Sequence, residues 1–397
     1  MPLFEGIILQ SEKHAVVLDI GQKFTKCGFA GEAVPRYIIP TTVSIDENQN
    51  LSLYDVSDAK LLFKAIKVFL HSIFFKYLVV SHRDRKVAIV EPLFGTELFR
   101  ETLAKVLYVH FEVPNVLFVP TPIAALVTLA IPSGIVVDVG YKETTVIPVF
   151  EGEALINSSQ VHPRAAEAIE NNLRRLISSR CKIKREDGTI VSVCDTDLNL
   201  DQNTLEDILV RLCFVSPIDR ARRIADNLKD LATTEPPKPP PGVEYPLGGS
   251  QILIIDGSVR EAACEAFYEI DGDMVNLATM VLDAVAQCPI DTRTTLLENV
   301  VIIGGTAMLP GFKARLLGEI KDFAARPIYS SRFPVKSVKY HNLPGKENFI
   351  AWLGGAIMSA TEAISLRGLS RDQYMQGVKL QDWARLASVQ CDTGRKI

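Results

Sequence analysis

The chain alternates short apolar runs with longer segments of helical period. Residues 15–20 (AVVLDI) form an apolar run that stops on a carboxylate and passes through a glycine into a second segment ending at Phe29. That pattern predicts strand, turn, strand. Residues 58–78 place apolar side chains at helical spacing with Lys64, Lys67 and Lys76 between them, an amphipathic helix with one face on a core. KVAIVEP (86–92) predicts a buried strand ended by Pro92, and residues 96–111 predict a helix. Helices are expected in EAIENNLRRLISSR and DQNTLEDILVRLCFV, a strand and a helix in SQILIIDGSVREAACEAFYE, and a strand, Gly-Gly turn and helix start over 297–312. A late helix is expected over 349–364. The Pro-rich stretch 233–249 can be neither helix nor central strand and is expected to be an extended surface loop. Strands alternating with helices predict an α/β architecture, and 397 residues exceed what one core usually serves, so two domains are expected.

The pattern also repeats once. AVVLDIGQKFTKCGF (15–29) is echoed by GIVVDVGYKETTVIPVFEG (134–152), each an apolar strand, then Asp-x-Gly, then a β-rich segment. The spacing of Asp19 and Asp138 suits a duplicated domain, each copy opening on the same unit.

Composition mostly excludes. The net charge is −4 and no long basic stripe occurs, which argues against nucleic acid as a partner. The seven cysteines (Cys27, Cys181, Cys194, Cys213, Cys264, Cys288, Cys391) are scattered, with no C-x-x-C pair, and the six histidines show no ligand spacing with them. This disfavours a zinc site or disulfide framework and fits a reducing cytosol. The first residues, MPLFEGIILQSEKH, lack the basic start and cleavage site of a signal peptide. The longest apolar stretches are broken by lysines or prolines, whereas a membrane span needs about 20 nearly uninterrupted apolar residues, so no direct membrane insertion is expected.

Two hairpins tipped by Asp-x-Gly can clamp a polyphosphate, the glycines bringing backbone N–H groups close to phosphate oxygens and the carboxylates holding a hydrated Mg²⁺. IIGGT (302–306) adds a third loop at which backbone can approach a nucleotide. Each element alone also fits an ordinary turn; their order along one chain is the signal. Walker A, G-x-G-x-x-G and G-x-S-x-G motifs do not occur, which removes the main support for P-loop, Rossmann and hydrolase readings.

DIGQKFTKCGFAGEAVPR, IVVDVGYKETTVIPVFEG, CPIDTRTTLLENVVIIGGTAMLPGF and AWLGGAI together resemble the corresponding motifs of the actin family, over roughly residues 15–377. The resemblance implies an actin-like fold of two duplicated ribonuclease-H-like domains around a nucleotide cleft. The small domain would be 1–133 plus 340–397, with a shortened outer loop around 37–60. The large domain would be 134–339, carrying the Pro-rich loop. It assigns Asp19, Gly21, Gln22, Lys23 and Lys26 to the first phosphate loop, Asp138 and Gly140 to the second, and Gly304, Gly305 and Thr306 to the third. ATP or ADP with Mg²⁺ would be the cofactor, the metal held through water by Asp19 and Asp138.

The departures from the family pattern point to function. Gln22-Lys23 is bulkier than the family's first turn, and Tyr141 stands where a further metal-binding aspartate is expected. Pro122 or Ile123 falls at the glutamine, and Thr145 at the histidine, that position the attacking water, so catalysis is expected to be lost. Leu209 and Val210 replace a lysine and a glutamate facing the nucleotide, and Asn348 replaces a lysine. The outer loop is shorter than actin's, and the acidic IDGDM (270–274) stands at the apolar plug. A protomer of that shape ends a filament instead of extending it. The resemblance implies a pointed-end position, with actin-like filament subunits and small pointed-end subunits of dynactin as partners, a cytoplasmic cytoskeletal location and no self-polymerisation. The alternatives are a nuclear actin-related subunit of a chromatin remodeller and a phosphotransferase of the same superfamily. The latter would need a catalytic aspartate.

Overall fold

The computed structural model describes residues 13–46, 49–196, 198–228, 235, 237–269, 275–332, 337–381 and 383. The acidic segment 270–274 and most of the chain beyond 381 lie outside the described residues. The chain divides into two compact units: Met1–Pro132 with Glu151–Ile156 and Leu343–Ile397, and Ser133–Phe150 with Asn157–Asn342.

The first unit is built on a six-stranded sheet. Strands β1 (Val16–Ile20) and β2 (Phe24–Phe29) form an antiparallel hairpin, with β3 (Tyr37–Pro40) outside β2. A separate hairpin follows, β4 (Thr42–Asp46) with β5 (Gln49–Ser52), then α1 (Ala59–Ser72). Strand β6 (Val87–Glu91) runs parallel to β1. After α2 (Glu97–Lys105), β7 (Asn115–Pro120) pairs parallel with β6 and leads straight into α3 (Thr121–Val127). β6 is buried at every position, as a strand covered on both faces must be. α1 turns Leu62, Ala65, Ile66, Phe69 and Leu70 inward and leaves its lysines outside. Both α1 and α2 run on through a π-turn, at 73–77 and 106–110.

Helix Ile350–Ser359 closes this unit against β1, β6 and α3. Its packing joins two motifs far apart in sequence. Trp352 is fully buried and donates its indole N–H to the Val17 carbonyl at 3.0 Å, and a Cβ on Gly28 would stand 2.7 Å from its ring. A Cβ on Gly354 would lie 1.8 Å from the Ala124 carbonyl oxygen. Only glycine allows the helix and α3 to approach so closely.

The second unit opens on the same arrangement as the first. β8 (Gly134–Val139) and β9 (Thr144–Phe150) form a hairpin, and the strand Val300–Ile303 pairs parallel with β8 as β6 does with β1. Helices α4 (Ala166–Arg180), α5 (Gln202–Leu212), α6 (Ile218–Leu228), α7 (Gly257–Glu265), α8 (Leu277–Gln287), α9 (Ile290–Glu298) and α10 (Phe312–Ala324) complete it. α8 and α9 lie on the β8–β9 hairpin. A charged cluster is buried among the helices: Arg315 reaches Glu319 at 2.8 Å, Glu265 at 3.2 Å and the Ser216 carbonyl at 2.8 Å. Hydrogen bonds to two carboxylates and a carbonyl offset the cost of burying that guanidinium.

One expectation needs correction. The Pro-rich stretch is not loop to its end: Val243–Gly248 is a strand, the outer member of a four-stranded sheet ordered 190–192, 182–184, 251–255, 243–248. An edge position tolerates Pro246, whose missing N–H breaks no central ladder, and the register shifts between Pro246 and Gly248.

Candidate functional site

In the first unit, the hairpin register places Asp19 opposite Lys26. Their side chains form an ion pair of 3.0 Å and are 13% and 16% exposed. The turn between them is closed by Gly21 N–H donating to the Phe24 carbonyl at 3.2 Å. It is braced from behind. Thr41 Oγ1 donates to the Gly21 carbonyl at 2.7 Å, Thr41 N–H to the Lys23 carbonyl at 2.9 Å, and the Tyr54 hydroxyl to the Ile20 carbonyl at 2.6 Å. Asp19, Gly21, Gln22, Lys23 and Lys26 therefore lie together on one rigid turn.

The second unit repeats the turn. Gly140 N–H donates to the Glu143 carbonyl at 3.1 Å, and Asp138 faces Thr145 across the hairpin as Asp19 faces Lys26. Thr145 is thus the positional equivalent of the lysine and brings no charge. Asp138 also lies beside Ile303, which delivers the third loop to the same place. Gly304 takes φ +101°, and a Cβ there would stand 2.2 Å from the Val139 carbonyl oxygen. Thr306 Oγ1 donates to the Gly140 carbonyl at 3.3 Å. Asp138, Gly140, Gly304, Gly305 and Thr306 are accordingly neighbours.

Two expectations about this chemistry change. The amides of Gly21 and Gly140 close their own turns and are not aimed outward. What each glycine provides is room: a Cβ would lie 2.8 Å from the Phe24 oxygen or from the Glu143 oxygen. Tyr141, where a metal-binding acid was expected, faces its own unit. Its hydroxyl donates to Glu170 Oε2 at 3.0 Å and accepts from Gln202 Nε2 at 2.8 Å, and Gln202 also donates to Glu170. Burial first, then the Glu170 carboxylate, push the Tyr141 phenol well above its ordinary range. The N–H of Glu167 meets the Tyr141 carbonyl at 2.9 Å, so the start of α4 holds the loop as well.

The remaining departures lie as follows. Pro122 is buried and Ile123 half-buried in the first turn of α3; Thr121, just before them, donates its hydroxyl to the Glu91 carbonyl at 3.0 Å. Leu209 is buried in the core of its unit, while Val210 is 64% exposed. The Asn348 Oδ1 is buried and meets no donor among the described residues. Sequence reasoning missed Thr41, Tyr54, Glu170 and Gln202. Glu170 alone left a trace, as a carboxylate inside the apolar stripe of α4 beside Ile169 and Leu173.

These residues fit a nucleotide's phosphates better than they fit a bound metal. Lys23 and Lys26 bring cations to the first turn, which suits a phosphate-bearing ligand, whereas the Asn348 acceptor suits a hydroxyl or amine donor. Among the described residues no group of three or more His, Cys, Asp or Glu is arranged to hold a metal. Mg²⁺ keeping most of its waters needs only one or two carboxylates; Asp19 in the first unit and Asp138 in the second each offer one, and Asp19 is already paired with Lys26.

The family described as Actin matches residues 10–68 and 63–379, and the chain belongs to that family. It is 26% identical to "Actin-related protein 10" of Dictyostelium discoideum, over 95% of this chain and 90% of that protein. It is 23% identical to "Putative actin-29" of the same organism, over 91% of this chain and 94% of the other. Among the described residues, no helix is long and apolar enough to cross a membrane.

Proposed function

We propose that this chain is a non-catalytic actin-related subunit that caps the pointed end of the actin-like filament of dynactin. There it supports dynein-driven, microtubule-based transport and cargo attachment in the cytoplasm. The observation that carries the reading is the outer element of the first unit. β4 and β5 form a bare hairpin with only residues 47 and 48 between them, and the chain passes at once into the turn Leu53–Asp55 and α1. On this reading, the described residues of that element offer no loop long enough to reach into a further subunit. The similarity to "Actin-related protein 10" over nearly the whole chain supports the same reading.

The loops support binding without turnover. Lys26, Gly304, Gly305 and Thr306 would hold the phosphates of ATP or ADP, and Asp19 and Asp138 would reach Mg²⁺ through water. A bound metal nucleotide would supply a polarised terminal phosphate. Ile123 cannot orient a water against it, and Thr145 is a poor proton relay. Tyr141, committed to Glu170 and Gln202, offers no further carboxylate.

The test adds the purified chain to preformed actin-like filament seeds and follows growth at each end by fluorescence microscopy, with released phosphate read in parallel. Pointed-end growth should stop at substoichiometric protein and barbed-end growth continue, with no phosphate release above background. Homopolymers of the chain alone, turnover like that of actin filaments, or co-purification with remodeller ATPases in place of dynein-associated proteins would overturn the proposal.

A further inference from the structure

The Pro-rich segment of the second unit is unused by the reading above, and its burial pattern is informative. Pro237, Pro240 and Val243 are half-buried, while Lys238, Pro239, Pro241 and Gly242 are exposed. One residue in three faces inward. At Val243 the period changes: Val243, Tyr245 and Leu247 face in and Glu244, Pro246 and Gly248 face out, as the edge strand requires. A period of three is that of the polyproline II helix, which has three residues per turn and no internal hydrogen bonds. The sequence enforces it, because each proline ring fixes its own φ and drives the preceding residue to the same extended region, and Lys238, Pro239 and Pro240 all precede a proline.

This segment is clamped. Arg220 donates to the Lys238 carbonyl at 2.7 Å and is itself gripped by Glu261, at 2.7 and 3.0 Å. Arg260 donates to the Pro241 carbonyl at 2.9 Å and to the Leu212 carbonyl at 2.8 Å. Between the two arginines the Pro240 carbonyl lies so close to Gly257 that a Cβ there would stand 1.6 Å from its oxygen. The inward edge of the prism is thus seated on α6 and α7, and the other two edges, Lys238 with Pro241 and Pro239 with Gly242, are open.

We propose that residues 237–242 are a pre-ordered polyproline II ligand. The two open edges would dock into the aromatic-lined groove of a proline-recognition domain whose rim carries a carboxylate for Lys238. Such grooves take two edges of the helix and leave the third outside, the arrangement this segment presents. Its ordering entropy has been met on folding, so the surface binds without the cost a free proline-rich tail incurs. The inference is independent of the capping proposal, since the strip rests on α6 and α7 and uses no residue of the β4–β5 hairpin or of either Asp-x-Gly loop.

The test titrates the full chain against a panel of purified SH3, WW and EVH1 domains by fluorescence anisotropy. At least one domain should bind. The exposed double substitution P239A/P241A should weaken that binding at least tenfold, K238E at least threefold, and P246A, on the neighbouring strand, should leave it unchanged. Thermal melts of each variant establish that the fold is kept. No binding by any domain, or equal binding by wild type and P239A/P241A, overturns the proposal.

Discussion

The triad of Tyr141, Glu170 and Gln202 allows a quantitative test of how the second loop is held. Glu170 is 2% exposed, so its carboxylate depends on the donors around it. Tyr141→Phe removes the phenol that donates to it at 3.0 Å and keeps the ring. A hydrogen bond to a charged group contributes about 1.5–3 kcal/mol, and the loss leans to the lower end here because Gln202 stays on the same oxygen. We expect a loss of about 1.5–2 kcal/mol, or a fall in melting temperature of about 3–8 °C at roughly 2–4 °C per kcal/mol for domains of this size. Glu170→Gln removes the charge, and the double variant should lose less than the two single losses added, with a coupling of about 1 kcal/mol. The pH dependence has a defined sign. The folded phenol titrates above its unfolded value of about 10, so its contribution is fully present below that pH and is lost as pH rises above it. The alkaline limb of wild-type stability should therefore be steeper than that of Y141F, by up to about 1.4 kcal/mol per pH unit. If Y141F melts with the wild type and the two alkaline limbs coincide, the phenol does not hold the loop and the reasoning fails.

Other substitutions probe the scaffold. Gly354→Ala drives a Cβ to 1.8 Å from the Ala124 carbonyl and should cost about 3 kcal/mol or more, whereas Gly305→Ala meets nothing within 4 Å and should be nearly neutral, both read by denaturant titration. Val79 is a β-branched residue at φ +51° and 74% exposed, so Val79→Gly should stabilise by about 0.5–1 kcal/mol, relief of left-handed strain exceeding glycine's entropy; a lowered melting temperature would show Val79 to be held by contacts instead. Arg315→Met strips the buried Glu319 of its partner and should cost about 3–5 kcal/mol in the same titration.

Much of the fold was legible because its signals are local. The apolar run ending on Asp-x-Gly occurs twice, and both copies fold as the same hairpin beside a parallel strand. The helical period of 58–78 became α1 with its lysines outside. The edge strand in the Pro-rich stretch was not legible, because proline argues against a strand everywhere except at an edge, and edges are defined only by the assembled sheet. Nor were the left-handed ends after the two π-turns, Val79 and Glu112, where no glycine marks the bend. At the loops, sequence identified the residues on each turn but not what holds them. Thr41 and Tyr54 reach the first turn from another hairpin and from beyond it, and Glu170 and Gln202 reach Tyr141 from two separate helices. Such contacts depend on tertiary distance and leave no period in the chain.

The motifs that made the family recognisable prove to be mostly about packing. In KCGFAGE-x-x-PR, the glycine at 28 makes room for Trp352 of AWLGGAI. Glu32 accepts the Phe29 N–H at 2.9 Å and pairs with Arg36 at 2.7 Å, while Arg36 lies over the Phe29 ring. None of these side chains needs a nucleotide to explain it; they fix the first hairpin to its sheet and helix. On the proposed reading, Ile123, Tyr141 and Thr145 are positions at which a side chain of an active family member would act on a phosphate or a water. If the proposal holds, a hydrolytic enzyme could not tolerate that division, because its rate would depend on those positions. A protein used for its shape can, because its surfaces are set by the positions kept. The packing of these motifs and the short outer hairpin are thus what the proposed reading rests on: a subunit whose contribution would be to occupy one place in an assembly.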